Sequence, residues 1–413
     1  MTAVQLGHRY GDVVVTVLDD DGQPLRDREV TVEQRTHAFS FGNIGFDFVP
    51  VANEEVPPER AARMADLWLD VFNTATLPFY WSDFEPLPGR PATTRLRRAA
   101  QWFAARGCRV KGHPLLWHTL APDWLRELPT AEVEATVRAR IRREVADFAD
   151  VVRTWDAINE SVIMPVFRNE PQRNAITRLA RERGRIATVR LAFEEARATD
   201  PTATLILNDF DMSTAYECLI EGVLEAGIRV DALGLQSHMH QGYWGEEKTL
   251  EVLDRFSRYG LPIHMTETTL VSGDVMPPEI DDLNDYQIPS WPSTPDGEQR
   301  QADEIVRHYR TLLSHPSVQA ITYWGLFDEG AWLGAPAGLV RTDGTPKPGY
   351  DALRRLVKQE WWLSPTTLRT DDAGRVTVRG FLGDYQLRCA GRTATVAVTG
   401  HGEATTTLGE GTR

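Results

Sequence analysis

Two stretches of the chain set a carboxyl group directly after an apolar run. In RTWDAINE, Arg153 to Glu160, an alternating strand pattern ends on Asn159 and Glu160; in LPIHMTET, the apolar run from Leu261 to Met265 leads to Glu267. One glutamate at a strand exit means little, because most such side chains are solvated or structural. Two at the exits of two strands of one domain mean more, provided the fold brings both to the same rim. A facing carboxyl pair can hydrolyse a glycosidic bond: one group gives its proton to the leaving oxygen while the other attacks the anomeric carbon or activates water.

The elements that would position such a pair follow a regular order. From Ala38 onward, short apolar strands alternate with longer amphipathic stretches: AFSFGNI and a helix over 59–70, VFNTATL and 93–106, RVKGHPLLW and 130–150, RTWDAIN and helices across 171–199. The order continues with ATLILND and 214–227, VDALGLQSH and 246–259, LPIHMTE and 297–314, and VQAITYWG and 349–358. Eight strand-plus-helix units close a parallel barrel, and such barrels keep their chemistry at the C-terminal ends of the strands. The expected fold is therefore α/β, a (β/α)8 TIM barrel over 38–358. The longest strand exit, Thr268 to Pro295, is expected to overhang the pocket, since loops of that length in a compact domain usually serve a site. Residues 1–37 and 359–413 read as β instead. Val13–Leu18 and Glu29–Glu33 are expected to form a hairpin on an Asp21-Gly22 turn. GRVTVRGFLGDYQLRCAGRTATVAVTG supplies further strands, and a lone hairpin is marginal in water, so the two ends are expected to pair into one β-sandwich appendage.

Polar and aromatic residues gather at the predicted strand exits: Trp81 after the second strand, His113, Trp117 and His118 after the third, Asn159 and Glu160 after the fourth. Asn208 and Asp209 follow on the fifth, Gln236 and His238 on the sixth, Glu267 on the seventh, and Trp324 with Trp332 on the eighth. The 413 residues are 42% hydrophobic and carry a net charge of −14, which disfavours nucleic acid and anionic membranes as partners because both recruit basic patches. A neutral carbohydrate is unaffected, and twelve Trp and ten Tyr offer flat faces for sugar rings. Cys108, Cys218 and Cys389 lack metal-site spacing and read as free buried thiols. No apolar run is long enough to span a bilayer, and the first residues do not read as a signal peptide. The expected location is the cytoplasm, or outside the cell if an export signal has been removed. Oligomeric state is open.

The strings GHPLLWH, WDAINE, NDF, LGLQSH, Thr266-Glu267 and ITYWGLFDEGAW, in this order over about 38–357, resemble the motifs of glycoside hydrolase family ten, the retaining endo-xylanase family. The resemblance implies that Glu160 is the acid/base and Glu267 the nucleophile. It further implies that Asn159 binds the 2-hydroxyl of the sugar being cleaved and that His238 hydrogen-bonds the nucleophile. His113, Trp117, Gln236, Trp324 and Trp332 would wall the subsite, and Trp81 would survive from the motif after strand two. No cofactor and no metal is implied. Retention asks for carboxyl groups roughly 5–5.5 Å apart, with like charge from Glu267 raising the pKa of Glu160. Leu77 to Tyr80 stand where the family carries polar pairs, Leu120 where a Gln is usual, and Thr269 where an Asp is usual. The first two departures fall on the glycone side and imply a preference for short, decorated or non-xylan β-glycosides, while the third implies that His238 lacks its usual orienting carboxylate. Two other readings compete: a metal-dependent barrel hydrolase built on His238, His240 and His264, and a carbohydrate-binding barrel without catalysis. In the appendage, only Phe381 and Tyr385 read as exposed aromatics that could touch a polysaccharide.

Overall fold

The computed structural model describes residues 6–167 and 174–410. Eight strands form a closed, all-parallel barrel: β3 (Ser40–Ile44), β4 (Thr74–Pro78), β5 (Arg109–His113), β6 (Thr154–Asn159), β7 (Thr204–Asp209), β8 (Ala232–Met239), β9 (Ile263–Leu270) and β10 (Val318–Tyr323), with β10 closing onto β3. The strands are short and almost wholly buried on both faces, as parallel strands covered by helices must be. The outer helices are Pro58–Val71, Thr93–Ala104, Thr130–Phe148, Ala175–Arg183 with Arg185–Thr199, Thr214–Glu225, Gly245–Ser257, Pro295–Ser314 and Pro348–Arg355. The expected start of the fourth helical stretch at 171 lies outside the described residues. Several starts carry a side-chain cap, since the first turn has amide protons with no partner within the helix. Asn174 accepts from Thr177 N–H, Ser213 from Ala215 N–H and Thr294 from Gly297 N–H.

The two chain ends combine in a β-sandwich, but the first two strands do not form the expected hairpin. β1 (Tyr10–Leu18) pairs antiparallel with β12 (Arg375–Phe381) and parallel with β15 (Gly402–Thr407). β2 (Glu29–Gln34) lies in the other sheet, between β11 (Thr366–Arg369) and β13 (Gly383–Cys389), with β14 (Arg392–Val398) and β16 (Gly409–Glu410) beyond. The Asp-Gly turn does form: Asp19 accepts the N–H groups of Asp21 and Gln23, and Gly22 has φ +72°. Pairing runs only a little past the turn, with Leu18 opposite Pro24 and Leu25 N–H donating to Val17 O at 2.9 Å, before Asp27, at φ +53°, turns the chain across to the second sheet. Val13, Val15 and Val17 of β1 face Val30 and Val32 of β2 across a core shared with Val376, Val378, Leu387, Val396 and Val398. Phe381 and Tyr385 are buried, contrary to the expectation of exposed aromatics.

The appendage is bonded to the barrel. Buried Arg9 donates from Nε to Leu313 O at 3.1 Å and from Nη2 to His315 O at 2.8 Å and Val318 O at 2.6 Å. Its guanidinium thus satisfies carbonyls where helix Pro295–Ser314 hands over to β10. Trp361 stacks on Phe41 of β3. Of the three free thiols, Cys108 is buried and Cys389 half-buried, while Cys218 is exposed on its helix, so the expectation of three buried thiols fails there. No described helix is long and apolar enough to cross a membrane.

The long exit of β9 packs along the rim at the C-terminal ends of the barrel strands. Trp291 lies 5.9 Å from the ring of His240, Gln241 donates to Pro277 O and Ile280 O, and Ser272 donates to Pro336 O in the loop after β10.

Candidate active site

The site begins below the rim, inside the barrel. Asp156 of β6 is fully buried, 2.7 Å from Lys111 Nζ and 2.7 Å from His113 Nδ1, both on β5. Burial alone would raise its pKa, yet the Lys111 ammonium and the His113 contact outweigh that and hold the carboxyl below its usual range. An ionised Asp156 accepts the His113 Nδ1 proton, which leaves Nε2 pointing along the site, 3.8 Å from Glu267 Oε1. Gly112 between the two β5 residues is required: a Cβ there would come within 2.2 Å of the Trp155 ring.

Glu160 follows β6 with φ +56°, a left-handed conformation that costs a non-glycine residue about 1–3 kcal/mol and persists only where the surroundings enforce it. They do so here. Its N–H donates to Asn208 O at 2.9 Å, Asn159 N–H to Leu116 O, and Val162 N–H to Asp209 Oδ2 at 3.0 Å. The carboxyl accepts from Trp117 Nε1 at 2.8 Å, Asn159 Nδ2 at 3.1 Å and Gln236 Nε2 at 3.4 Å. Burial first, and the Glu267 charge second, push its pKa up to about 8 against the opposing Trp117 donor. The like charge expected from sequence is thus present, with desolvation the larger cause.

Glu267 is reached from Glu160 through two amides. Asn159 Oδ1 accepts from Asn208 Nδ2 at 2.7 Å, and that same Nδ2 donates to Glu267 Oε1 at 3.0 Å. Asn208 is itself oriented by the Thr266 hydroxyl on its Oδ1. Gly234 leaves the room, since a Cβ there would meet Asn208 Oδ1 at 2.3 Å. On the other oxygen, His238 Nε2 is 3.1 Å from Glu267 Oε2, and His238 Nδ1 is 3.2 Å from the Thr269 hydroxyl. The two histidine contacts are complementary: an imidazole that donates from Nε2 presents an Nδ1 lone pair, which a Thr hydroxyl can satisfy. The two carboxyl groups therefore share one rim and one hydrogen-bond network.

Aromatic rings wall this network. Trp324 lies 5.1 Å from His113 and 6.2 Å from His238, and Trp332, partly exposed, lies 5.1 Å from His238. Trp117 and Gln236 stand at Glu160 itself. Trp81 is not brought to the group. It is buried beneath the rim with Nε1 donating to Glu85 Oε2 at 3.0 Å, the Arg140 guanidinium 4.6 Å over its ring and Trp124 against its edge. The residue before it, Tyr80, takes the place at the site, 5.8 Å from His113 and 5.6 Å from Trp117. Sequence reasoning also passed over Phe46, whose ring touches both Tyr80 and Trp324. Asp209, noted only as a strand-end residue, accepts Val162 N–H and Asp211 N–H while burial pushes its pKa up to about 7.

The histidines behind the metal reading do not converge. His238 is turned to Glu267 and Thr269, His240 is buried against Trp332 and Trp291, and His264 is the second residue of β9, three residues before Glu267 and about 10 Å deeper at ~3.3 Å per residue. Among the described residues, no group of three or more His, Cys, Asp or Glu is placed to hold a metal ion.

Comparison with known proteins agrees with this fold. Among solved structures, the family 10 protein from Paenibacillus barcinonensis superposes with a TM-score of 0.63 at 22% identity, covering 78% of this chain and 96% of that one. Xylanase 10B from Thermotoga petrophila, solved in complex with xylobiose, gives 0.63 at 22% identity, covering 78% and 95%. In sequence, endo-1,4-beta-xylanase B of Thermotoga neapolitana is 27% identical over 61% of this chain and 70% of its own. Anti-sigma-I factor RsgI6 of Acetivibrio thermocellus is 26% identical over 97% of this chain, which spans only 46% of that relative's length. The model of glycosyl hydrolase family 10 matches residues 77–356, a stretch that includes both strand-exit glutamates, and the chain belongs to that family.

Proposed function

We propose that the chain hydrolyses β-glycosidic bonds of xylan-type oligosaccharides with retention of configuration, Glu267 acting as nucleophile and Glu160 as acid/base. The observation that carries the reading is the shared network: Glu160 and Glu267 meet through Asn159 and Asn208, and Glu160 holds its proton up to about pH 8. In the first step the Glu160 proton passes to the glycosidic oxygen as a Glu267 carboxylate oxygen bonds to the anomeric carbon and the leaving sugar departs. In the second, Glu160 takes a proton from water, the resulting hydroxide attacks the same carbon, and the bond to Glu267 breaks. Asn159, beside Glu160, is placed for the 2-hydroxyl of the attacked sugar. His238 and Asn208 each put a donor on Glu267, fixing which oxygen faces the substrate.

The apolar residues at the β4 exit favour short or decorated substrates over long xylan. Two measurements test the reading. A 2-deoxy-2-fluoro-β-xyloside with a good leaving group should label Glu267, read by peptide mass spectrometry, and hydrolysis followed by NMR should release the β-anomer first. Release of the α-anomer, or undiminished activity in Glu267→Ala, would refute it.

A further inference from the structure

We propose that Tyr80 closes the glycone end of the cleft behind a single sugar and donates its phenol hydrogen to a hydroxyl of that sugar. The inference rests on the retaining β-glycosidase reading above. Four rings make a closed circuit at this end of the rim. Tyr80 meets Phe46 edge-on at 5.5 Å, Phe46 meets Trp324 at 5.6 Å, Trp324 meets His113 at 5.1 Å, and His113 meets Tyr80 at 5.8 Å. Centroid spacings of this size are van der Waals contacts, and rings in contact leave no passage for a pyranose between them. On its other side Tyr80 leans on Trp117 at 5.6 Å, the residue whose indole holds Glu160. The wall therefore runs unbroken from the acid/base to Trp324, with the sugar under attack in front of it.

Tyr80 is fixed from behind. Phe79 is fully buried, its N–H donates to His113 O at 2.7 Å, and Arg140, itself buried, donates to the carbonyls of both Phe79 and Leu115. The Tyr80 carbonyl accepts from Asp83 and Phe84 N–H in the short helix Trp81–Phe84, so the backbone cannot swing the ring aside without breaking these bonds. The half-buried phenol, by contrast, has no hydrogen-bond partner among the described residues. Burial, then the charges of Glu267 and Glu160, hold its proton far above the ordinary phenol range, so it remains a donor throughout the working pH of the site. A rigid, neutral and unsatisfied donor next to two carboxyl groups suits a sugar hydroxyl.

The test compares kcat/KM for 4-nitrophenyl β-xyloside and 4-nitrophenyl β-xylobioside in the full chain. Wild type should prefer the xyloside. Tyr80→Ala should raise the xylobioside-to-xyloside ratio at least tenfold by opening the circuit. Tyr80→Phe, which keeps the ring, should leave the ratio unchanged and lower both values about tenfold. Should Tyr80→Ala fail to fold, Phe46→Ala opens the same circuit from its other side and must raise the same ratio. A ratio within twofold of wild type in the variant that folds overturns the closure, and Tyr80→Phe values within twofold overturn the hydroxyl contact. Wild type inert on both substrates would overturn the glycosidase reading itself, whereas cleavage of both with an unmoved ratio overturns only the role of Tyr80.

Discussion

Replacing Glu267 by Gln removes one negative charge from the network while keeping the shape that Asn208 and His238 surround. The consequence should be read at Glu160. Its pKa of about 8 has burial as the leading cause and the Glu267 charge as the next. At the roughly 5–5.5 Å separation of a retaining pair, and an effective dielectric near 20, two unit charges repel by about 3 kcal/mol, or roughly 2 pKa units. Glu267→Gln should therefore bring Glu160 down to roughly 6, still elevated because burial is untouched. The assay is a carbon-13 NMR titration of labelled glutamate side chains in both proteins, with Glu160→Gln identifying the resonance. In wild type the same group should set the alkaline limb of kcat/KM near pH 8. A Glu160 titration that moves by less than half a unit in Glu267→Gln would refute the claim that the Glu267 charge helps to hold the proton on Glu160.

Glu160→Gln should be more stable than wild type at pH 9 by on the order of 1–3 kcal/mol, allowing for solvent screening, and no different at pH 4. The folded-state pKa is raised, so the stability present below the unfolded value near 4.5 is lost as pH rises through about 8; urea midpoints at the two pH values check the sign. Gly234→Ala puts a Cβ 2.3 Å from Asn208 Oδ1 and should cost about 10²–10³-fold in kcat, with an unchanged circular dichroism spectrum. Trp81→Phe should leave KM within twofold and destabilise the fold by about 1–3 kcal/mol, since it loses the Glu85 bond and the better ring for Arg140; a large rise in KM would return Trp81 to the site. Arg9→Ala leaves three carbonyls short of a donor and should lower the urea midpoint by an equivalent of about 2–4 kcal/mol while kcat of the folded enzyme stays the same.

The barrel was legible because its signal repeats: each strand is a short apolar run, each helix an amphipathic stretch, and eight of each leave one closed topology. Both glutamates were legible for the same reason, each standing where such a run stops. What escaped was decided by single residues acting against a local pattern. An Asp-Gly turn between two alternating segments reads as a hairpin, but the left-handed Asp27 lies just after it and turns the chain to the other sheet once Leu25 has bonded Val17. The choice between Tyr80 and Trp81 is a matter of one residue of phase. Trp81 stands four residues before Glu85 at the start of a helical turn, a spacing that turns its indole down onto that carboxylate and leaves the preceding ring at the rim. The Asn159–Asn208 link could not be read at all from either segment alone. It needs β6 and β7 in register, Asn159 opposite Asn208, and a bare Gly234 on β8 to admit the side chain. A strand-end asparagine gains its meaning from the glycine opposite it on the next strand, whose missing side chain is what admits the amide.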